Sequence, residues 1–461
     1  MVEMCVLRQL PTLKRPHAQA DASLPVRLRA MSVDAKVISR RDCMLSSVPP
    51  MHSAAKTITD PDERQFPYWR RNLKVVPLSN LLASLGFGIS WPFLPLMVRG
   101  LGVEENLATW VGNMVLGFYV VSFTINPIWG GIADHYGRKI MVLRATLGMG
   151  LFMTVVAFAP TPLWFACLIM LVGLFNGSTA ASMTLLVANT PPHRIGSALS
   201  YSHTGTLVGQ TMGPAVGALL AMLVDHYQWL FGISGALLLM AGALVAALLR
   251  EVKQLAPGRY RLQWIGPLRE LLAVRRMGAL YLLSFLFSVM WGGNVTIMSI
   301  YVLQLLPPGT AGLSTEAFWV GAVAIALGIS GLIAMPIWGR ILDRYDPARV
   351  LAFATAAAAV THLPLLVLDT PLQLVLSRVA FGIGAAAMQP AIVRLLKEHA
   401  PPGMDARAIS YGSSFQFIAM GLAPFCAGLI GPVLGLRAYF ALTIALTVVG
   451  FALWVRSGRR V

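Results

Sequence analysis

The segment Gly130–Lys139 reads GGIADHYGRK and lies between two long apolar runs, 108–129 and 140–159. About 20 consecutive apolar residues are enough for a helix to cross a bilayer, so each run predicts a membrane span. The ten residues between the runs are then expected to form a tight turn at one face of the membrane. This turn sets the orientation of every other span.

The residues of this turn indicate which face it occupies. Gly130 allows close backbone approach and unusual dihedral angles. Asp134 is a single carboxylate at a helix boundary, where helix dipoles and cations stabilise it. Arg138 and Lys139 place the turn on the cytoplasmic side, because short cytoplasmic loops are rich in Lys and Arg.

The whole chain has the composition of a polytopic membrane protein. Of its 461 residues, 56% are hydrophobic and 12% are charged, whereas soluble domains carry about 25% charged residues. The net charge of +17 would suggest nucleic-acid binding in a soluble protein, but here it lies mostly in the first 74 residues and in short loops. We therefore expect the lipid bilayer, and no nucleic acid, as a partner. The four cysteines have no metal or disulfide spacing, so neither a metal nor a cofactor is expected.

Apolar runs of about 20 residues predict twelve spans. Those of the first half are 73–97, 108–130, 140–159, 162–188, 198–223 and 228–249. Those of the second half are 277–303, 317–339, 349–368, 371–396, 408–431 and 436–455. Basic residues in every second loop, together with the even number of spans, predict that both termini are cytoplasmic.

The spans divide the chain into five parts. We expect, in order, a disordered cytoplasmic tail (1–70), an N-terminal six-helix bundle (71–249), a cytoplasmic connector (250–276), a C-terminal six-helix bundle (277–455) and a cytoplasmic C-terminus (456–461). Met51 is an alternative start of the chain, with the residues before it not native.

The two halves repeat each other in sequence. PIWGGIADHY from Pro127 matches PIWGRILDRY from Pro336 at an offset of 209, and a Pro-Pro pair at Pro191 recurs at Pro401. A parallel duplication of six-helix halves is typical of a two-bundle transporter, whose substrate path runs between the halves near the bilayer midplane.

The segment Gly130–Lys139 resembles the loop between helices 2 and 3 of the major facilitator superfamily of secondary transporters. The pattern there is G-x-x-x-D-x-x-G-R-K, and the residues that match it are Gly130, Asp134, Gly137, Arg138 and Lys139. The resemblance implies that this turn, through Asp134, locks the cytoplasmic face when the transporter opens outward.

The fifth span adds a second similarity. Glycines at four-residue spacing give it a bare face, and a proline bends it; these residues are Gly205, Gly209, Gly213, Pro214 and Gly217. Small-residue helix packing alone also explains the spacing. The order G-x-x-x-G-P-x-x-G resembles the helix 5 signature of twelve-helix drug–proton antiporters, which implies export and a tight contact that excludes water.

Charged residues are rare inside the predicted spans. Arg378 lies about two turns into the run 371–396, and its repeat position in the fourth span is Ile169, where related transporters carry an arginine. A buried arginine is costly in a membrane and usually functional. Three interpretations stay open: extension to the outer interface, an inter-helix hydrogen bond, and an anionic substrate group. No Asp or Glu lies in the middle of a span, so the candidate titrating groups are His203 and Asp134, and proton coupling is implied by the resemblance alone.

The remaining candidates for the substrate path are polar side chains and aromatic rings, the mixture that lines pockets for lipophilic ligands. They are Asn80, Trp91, Asn113, Tyr119, Asn176, Gln210, Trp291, Asn294 and Gln416, beside His203 and Arg378. Helix packing or lipid contact explains each of them when it is taken singly.

These features predict an all-α membrane protein with twelve transmembrane helices in two pseudo-symmetric six-helix bundles. We expect a monomeric secondary transporter of the bacterial cytoplasmic membrane, which exports small lipophilic compounds in exchange for protons and is not an enzyme. One alternative is a carrier that takes up or exports a metabolite such as an organic anion. A membrane enzyme or sensor is a second alternative, and it requires a clustered catalytic set or a soluble domain, neither of which the sequence shows.

Overall fold

The computed structural model describes residues 65–251, 265–274, 276–307, 312–402 and 404–459. The predicted tail up to residue 64 and most of the predicted connector lie outside these residues. Within them the secondary structure is helical, and no strand occurs.

The first half contains eight α-helices. They are α1 (Trp69–Ser90), α2 (Leu94–Gly100), α3 (Leu107–Tyr136), α4 (Arg138–Val156), α5 (Pro162–Leu174), α6 (Ser178–Ala188), α7 (Ile195–Ala221) and α8 (Gln228–Leu248). After α9 (Ile265–Ala273), the second half contains α10 (Met277–Leu305), α11 (Leu313–Arg344), α12 (Pro347–His362), α13 (Pro371–Ala385), α14 (Met388–His399), α15 (Asp405–Leu434) and α16 (Leu436–Arg459). Short 3-10 helices join some of them, among them Trp91–Phe93 between α1 and α2.

Length and hydropathy identify most of these helices as membrane spans. Ten segments of the described chain pass both criteria, and an eleventh is the bent pair Met277–Gly292 and Thr296–Leu305. The helix α7 is 27 residues long but is absent from this set, because glycines and polar side chains such as His203 and Gln210 lower its hydropathy. With α7 the two six-helix bundles are complete.

The turn predicted at Gly130–Lys139 is much shorter in the structure. Helix α3 continues through Gly130 and Asp134 to Tyr136, and α4 begins at Arg138. Gly137 alone separates the two helices, with a φ of +99°. Residues other than glycine rarely adopt such a conformation, so this one-residue turn requires a glycine.

Besides the run 73–97, which forms α1 and α2 joined by the 3-10 helix Trp91–Phe93, two predicted spans are divided. The run 162–188 forms α5 and α6, and the run 371–396 forms α13 and α14. Gly177, which precedes α6, has a φ of +113°, so the first break depends on a left-handed residue.

The breaks show how closely the two halves correspond. The indole Nε1 of Trp129 donates to the Leu174 carbonyl at 3.0 Å, and that of Trp338 donates to the Ile383 carbonyl at 2.8 Å. Both donors and both acceptors are 209 residues apart, which is the offset of the sequence repeat. In each half a tryptophan therefore satisfies a carbonyl near the end of a broken helix, where no intrahelical donor is available.

The buried apolar residues form one cluster shared by both halves and smaller clusters within one half. The shared cluster includes Phe93 and Phe118 of the first half with Tyr301 and Val320 of the second. A separate cluster around Val142 belongs to the first half, and another runs from Leu271 to Trp454 in the second. The two bundles thus share a core toward one end of the molecule and have separate cores toward the other.

Candidate functional site

The contacts between the bundles lie toward one end of the molecule. We call this end, which holds Arg99, the Arg99 end, and the opposite end, which holds Gly137, the Gly137 end. The Ser299 hydroxyl of α10 donates to the Pro92 carbonyl at 2.6 Å. The Thr109 hydroxyl of α3 donates to the Gly428 carbonyl of α15 at the same distance.

Close helix contacts complete this closure. A Cβ atom on Gly112 of α3 would lie 2.5 Å from the Pro424 carbonyl oxygen of α15. On the other side of the interface, a Cβ atom on Gly321 of α11 would overlap that of Ala218 in α7. Both pairs join the first half to the second, so the Arg99 end is closed.

An ion pair joins the bundles at the same end. Arg99, near the end of α2, contacts Glu316 in the first turn of α11. The Tyr227 hydroxyl is hydrogen-bonded to the same carboxylate, and its pKa is raised by burial and by the negative charge of Glu316. Tyr227 therefore remains a donor at neutral pH.

A series of aromatic ring contacts runs from the N-terminal bundle to the C-terminal bundle. Phe87 and Trp91 of the first half stack with ring centroids 4.5 Å apart, and Trp91 lies 5.0 Å from Phe118. Phe118 contacts Tyr119 edge-on at 5.1 Å, and Tyr119 reaches Phe417 of the second half at 6.4 Å. These five residues, here named the aromatic bridge, come from both bundles and carry no charge. Trp91 and Phe118 are buried, whereas Phe87, Tyr119 and Phe417 keep exposed surface.

Three of the predicted path amides hydrogen-bond to hydroxyl groups of neighbouring helices. The pairs are Asn80 with Ser202 (2.8 Å), Asn176 with Ser122 (3.3 Å) and Gln416 with Ser284 (3.4 Å). Asn80 is buried between α1 and α7, so its side chain packs the bundle and does not line an open path.

The other predicted polar residues lie in different places. His203 and Gln210 are exposed on α7. Asn113 is exposed on α3 and lines a groove of about 590 Å³ between α3, α5 and α15 at the Arg99 end. The side chain of Asn294 lies outside the part that the structure describes.

Arg378 is buried inside the C-terminal bundle, with no exposed surface, and does not extend to the interface. Its guanidinium lies 5.1 Å from the Phe381 ring centroid, and Nη2 donates to the Ser377 hydroxyl at 3.3 Å. The His362 ring of α12 packs on Phe381 at 4.6 Å, and Trp291 lies 5.8 Å from the same ring. Arg378 thus contributes to contacts among the helices of one bundle.

The glycines of the fifth span all face α1. A Cβ atom on Gly209 would lie 2.5 Å from the Leu81 carbonyl oxygen, and one on Gly217 would lie 2.5 Å from that of Ile89. Gly205 and Gly213 meet the α1 backbone in the same way, and Pro214 lies buried between them and Gly217. The tight contact therefore lies within the N-terminal bundle.

At the Gly137 end, the start of α4 is capped from a distant part of the chain. The Glu251 carboxylate accepts the backbone N–H groups of Arg138 at 2.8 Å and of Lys139 at 2.9 Å. The Lys139 ammonium donates to the Leu249 carbonyl at 2.7 Å. The side chain of Asp134 lies outside the described residues.

The sequence analysis did not single out Arg144, a cation inside a span of the first half. Arg144 of α4 stacks on Trp129, with its guanidinium carbon 4.0 Å from the ring centroid. It also donates to the Leu174 and Asn176 carbonyls at 3.3 and 3.4 Å, beside the break between α5 and α6. Its repeat position is Phe353, which packs on Trp338 at 5.7 Å. The signal was present, because Arg144 lies within the apolar run 140–159.

Two helical bundles related by a sequence repeat, in contact at one end and joined by an uncharged series of aromatic rings, define a secondary transporter. The family model described as Major Facilitator Superfamily matches residues 78–333 and 312–460. The chain belongs to the major facilitator superfamily.

Individual relatives agree with this assignment. The chain is 31% identical over 379 residues to the multidrug resistance protein MdtG of Salmonella arizonae, covering 81% of this chain and 92% of that protein. The MdtG protein of Salmonella typhimurium matches to the same extent. Among solved structures, a bacterial homologue of the human lysosomal transporter Spinster superposes with a TM-score of 0.68 at 15% identity, over 86% of this chain and 98% of that chain. The nucleoside transporter NupG superposes with a TM-score of 0.67 at 14% identity, over 85% and 100%. These two structures support the fold alone.

Proposed function

We propose that this transporter exports small lipophilic compounds, aromatic ones in particular, across the bacterial cytoplasmic membrane. The observation that carries the proposal is the aromatic bridge, since apolar rings with few polar anchors suit lipophilic ligands. The likeness to multidrug resistance proteins supports it, as does the glycine face of α7, which resembles that of drug–proton antiporters.

The Gly137 end is the cytoplasmic end in this proposal. It carries Arg138, Lys139 and Arg250, and short basic loops remain in the cytoplasm. Both termini then lie in the cytoplasm, and the closed Arg99 end faces outward. The protein acts as a monomer, and export requires the two bundles to rock so that the Arg99 end opens.

Proton coupling belongs to the same proposal. One charge moving down a potential of 100 mV supplies about 2.3 kcal/mol, which is enough to drive uphill export of a neutral compound. Asp134 acts as the latch of the cytoplasmic face, as the resemblance implies. Asp134→Asn is then expected to abolish drug resistance in cells while the protein is still made at normal levels.

Transport into everted membrane vesicles tests the substrate class, because their cytoplasmic face is outward and export fills the lumen. Everted vesicles that contain the protein are energised to form a proton gradient and assayed with a panel of neutral, cationic and anionic aromatic dyes. We expect gradient-dependent transport of neutral dyes, which Phe87→Ala or Phe417→Ala lowers severalfold because each removes a ring of the bridge that keeps exposed surface. Trp164→Ala removes a tryptophan that is 60% exposed on α5 and serves as the matched control. Transport that is unaffected by the bridge variants, or absent for every dye, contradicts the proposal.

A specific observation favours one second candidate, a carrier for organic anions. Arg144 is a partly exposed cation on α4, and among the side chains that the structure describes it contacts the Trp129 ring and donates to the Leu174 carbonyl. Preferential transport of the anionic dyes, lost in Arg144→Gln, would support this candidate over export of neutral compounds.

A further inference from the structure

A cleft of about 300 Å³ lies at the Gly137 end, where three helices of the N-terminal bundle begin or end. Helix α1 begins at Trp69, α4 begins at Arg138 and α8 ends at Leu248. We call it the Arg250 cleft, and its lining residues are Tyr68, Tyr136, Lys139, Ile140, Leu249, Arg250 and Glu251. No residue of the aromatic bridge lines it, so the cleft is separate from the proposed substrate path.

Arg250 is held in this cleft by its backbone, which leaves its guanidinium available. The Asn72 side chain donates to the Arg250 carbonyl at 2.7 Å and accepts the Arg250 backbone N–H at 3.3 Å. The guanidinium carbon lies 5.6 Å from the Tyr68 ring centroid. Within the described part of the chain no carboxylate pairs with this guanidinium, and the side chain is exposed. The cleft therefore presents a positive charge at the end of the spans.

The Glu251 carboxylate does not cancel this charge, because it is already used by α4. Its two oxygens accept the backbone N–H groups of Arg138 and Lys139 and so balance the positive end of the helix dipole. The Lys139 ammonium donates to the Ala246 and Leu249 carbonyls at 3.0 and 2.7 Å. A carbonyl carries no net charge, so Lys139 adds a second positive charge to the cleft.

An apolar face continues from the cleft along α4. Ile140, Leu147 and Leu151 are exposed, and their spacing of seven and four residues places them on one face of the helix. Tyr136, just before α4, is 63% exposed, and tyrosine is typical of the boundary between membrane and water. A ligand that fits both parts has an anionic head and a long apolar chain.

We propose that the Arg250 cleft binds the phosphate head group of an anionic phospholipid, whose acyl chains lie on the apolar face of α4. Basic pockets at the ends of transmembrane helices suit such head groups. The Arg250 guanidinium and the hydroxyl groups of Tyr68 and Tyr136 are donors for phosphate oxygens. The proposal requires only that the spans cross a bilayer, and it does not depend on the compound exported or on the direction of transport.

The sequence repeat indicates that the site belongs to the first half alone. At the offset of 209 residues, Tyr68 corresponds to Met277 and Lys139 to Ala348. One phenol donor and one cation are thus missing from the equivalent place in the second half. Arg349, which corresponds to Ile140, is an exposed cation in the first turn of α12 and provides a matched control.

Lipid binding to the full-length protein tests the proposal. The protein is purified in detergent and titrated with dioleoyl phosphatidylglycerol or dioleoyl phosphatidylcholine, and native mass spectrometry measures the dissociation constant of the first lipid bound. The two lipids have the same acyl chains, but phosphatidylcholine has no net charge. We expect phosphatidylglycerol to bind about tenfold more tightly, as two cations near a lipid head group predict.

Substitutions assign this preference to the cleft. Arg250→Gln is expected to lower it about fivefold, the factor that corresponds to about 1 kcal/mol for one cation near a lipid surface. Arg250→Lys should keep most of it, and Arg349→Gln should bind both lipids as the wild type does. The contact with Asn72 uses the backbone of residue 250, so Arg250→Gln is expected to unfold at the wild-type temperature.

Soluble phosphates then distinguish a lipid from a free phosphate compound. Glycerol 3-phosphate and inorganic phosphate at millimolar concentrations should not displace phosphatidylglycerol, because neither has an acyl chain for the apolar face. Displacement by either compound overturns the proposal. Equal affinity for the two lipids, or an Arg250→Gln protein that keeps the wild-type preference, overturns it as well. None of these results depends on dye transport, so failure of this proposal is distinguishable from failure of the proposed function.

Discussion

At the scale of single residues, the start of α4 shows how a conspicuous motif depends on an inconspicuous partner. Gly137, Arg138 and Lys139 are visible in the sequence, but the carboxylate that accepts the backbone N–H groups of Arg138 and Lys139 comes from Glu251, more than 110 residues later. The first N–H groups of a helix have no intrahelical acceptor, and the helix dipole favours negative charge there. Glu251 therefore fixes the turn from the end of α8.

We predict that Glu251→Ala lowers the free energy of unfolding by about 1 kcal/mol, the usual cost of losing an N-terminal helix cap. Glu270→Ala removes an exposed carboxylate of α9 and is the control, with an expected change near zero. Both variants are compared with the wild type by thermal unfolding in the same detergent. Equal destabilisation by the two substitutions would show that the cap adds nothing beyond its charge.

The sequence identified single residues unevenly. Trp91 and Tyr119 were predicted for the path and belong to the aromatic bridge, where Trp91 is buried; contact of either ring with a substrate stays a prediction. Asn80 was predicted for the path and instead packs against Ser202. The sequence does not distinguish an asparagine that bonds to a neighbouring helix from one that lines a path, because both are single polar residues in an apolar run. Glu316 escaped notice, because its burial comes from a second bundle that approaches it from a distant part of the chain.

At the scale of helices, the contact between α1 and α7 depends on the absence of side chains. We predict that Gly209→Ala lowers the free energy of unfolding by about 1–3 kcal/mol, the usual cost of overpacking a tight interior. The added methyl group would lie 2.5 Å from the Leu81 carbonyl oxygen and 2.8 Å from the Leu85 amide nitrogen, both in the α1 backbone. Unfolding of the purified protein in detergent measures the difference.

Gly196→Ala is the matched control on the same helix. A Cβ atom there meets nothing within 4 Å, and alanine favours a helix more than glycine does. This variant is expected to be as stable as the wild type or slightly more so. If Gly209→Ala behaves in the same way, then α1 is able to move aside and the close contact does not limit stability.

The sequence predicted where the spans lie, but it did not predict which of them are broken. Apolar runs of about 20 residues located the spans, because the bilayer requires that length. The break at Gly177 was missed although residues 176–179 read NGST, which is a turn signal. The break after Ala385 was missed because Ala386, Ala387 and Met388 are as apolar as the residues of an unbroken span. Both breaks are accompanied by a tertiary hydrogen bond: Trp129 and Trp338 donate to carbonyls that the breaks leave without helical partners.

At the scale of the whole molecule, the offset of 209 residues predicted two equivalent bundles, and the structure contains them. It did not predict which end is closed, because a repeat describes each half and not the contact between the halves. That contact consists of helix pairs at the Arg99 end, of which α7 with α11 is one. Movement of one bundle against the other must separate these pairs, so a covalent link across them should stop transport.

We predict that the double variant Thr211→Cys with Gly328→Cys loses transport when oxidised and recovers it on reduction. The Cβ atoms of these positions are 3.5 Å apart, which lies within the range that a disulfide requires, and they belong to different bundles. The control is Ala157→Cys with Gly232→Cys, whose Cβ atoms are 3.4 Å apart within the N-terminal bundle. Both pairs are made in a background in which the four native cysteines are replaced by serine, and dye efflux is measured before and after reduction. Transport by the oxidised Thr211/Gly328 pair would mean that the bundles do not separate along α7 and α11, whereas loss of transport in both oxidised pairs would point to a general effect of cross-linking.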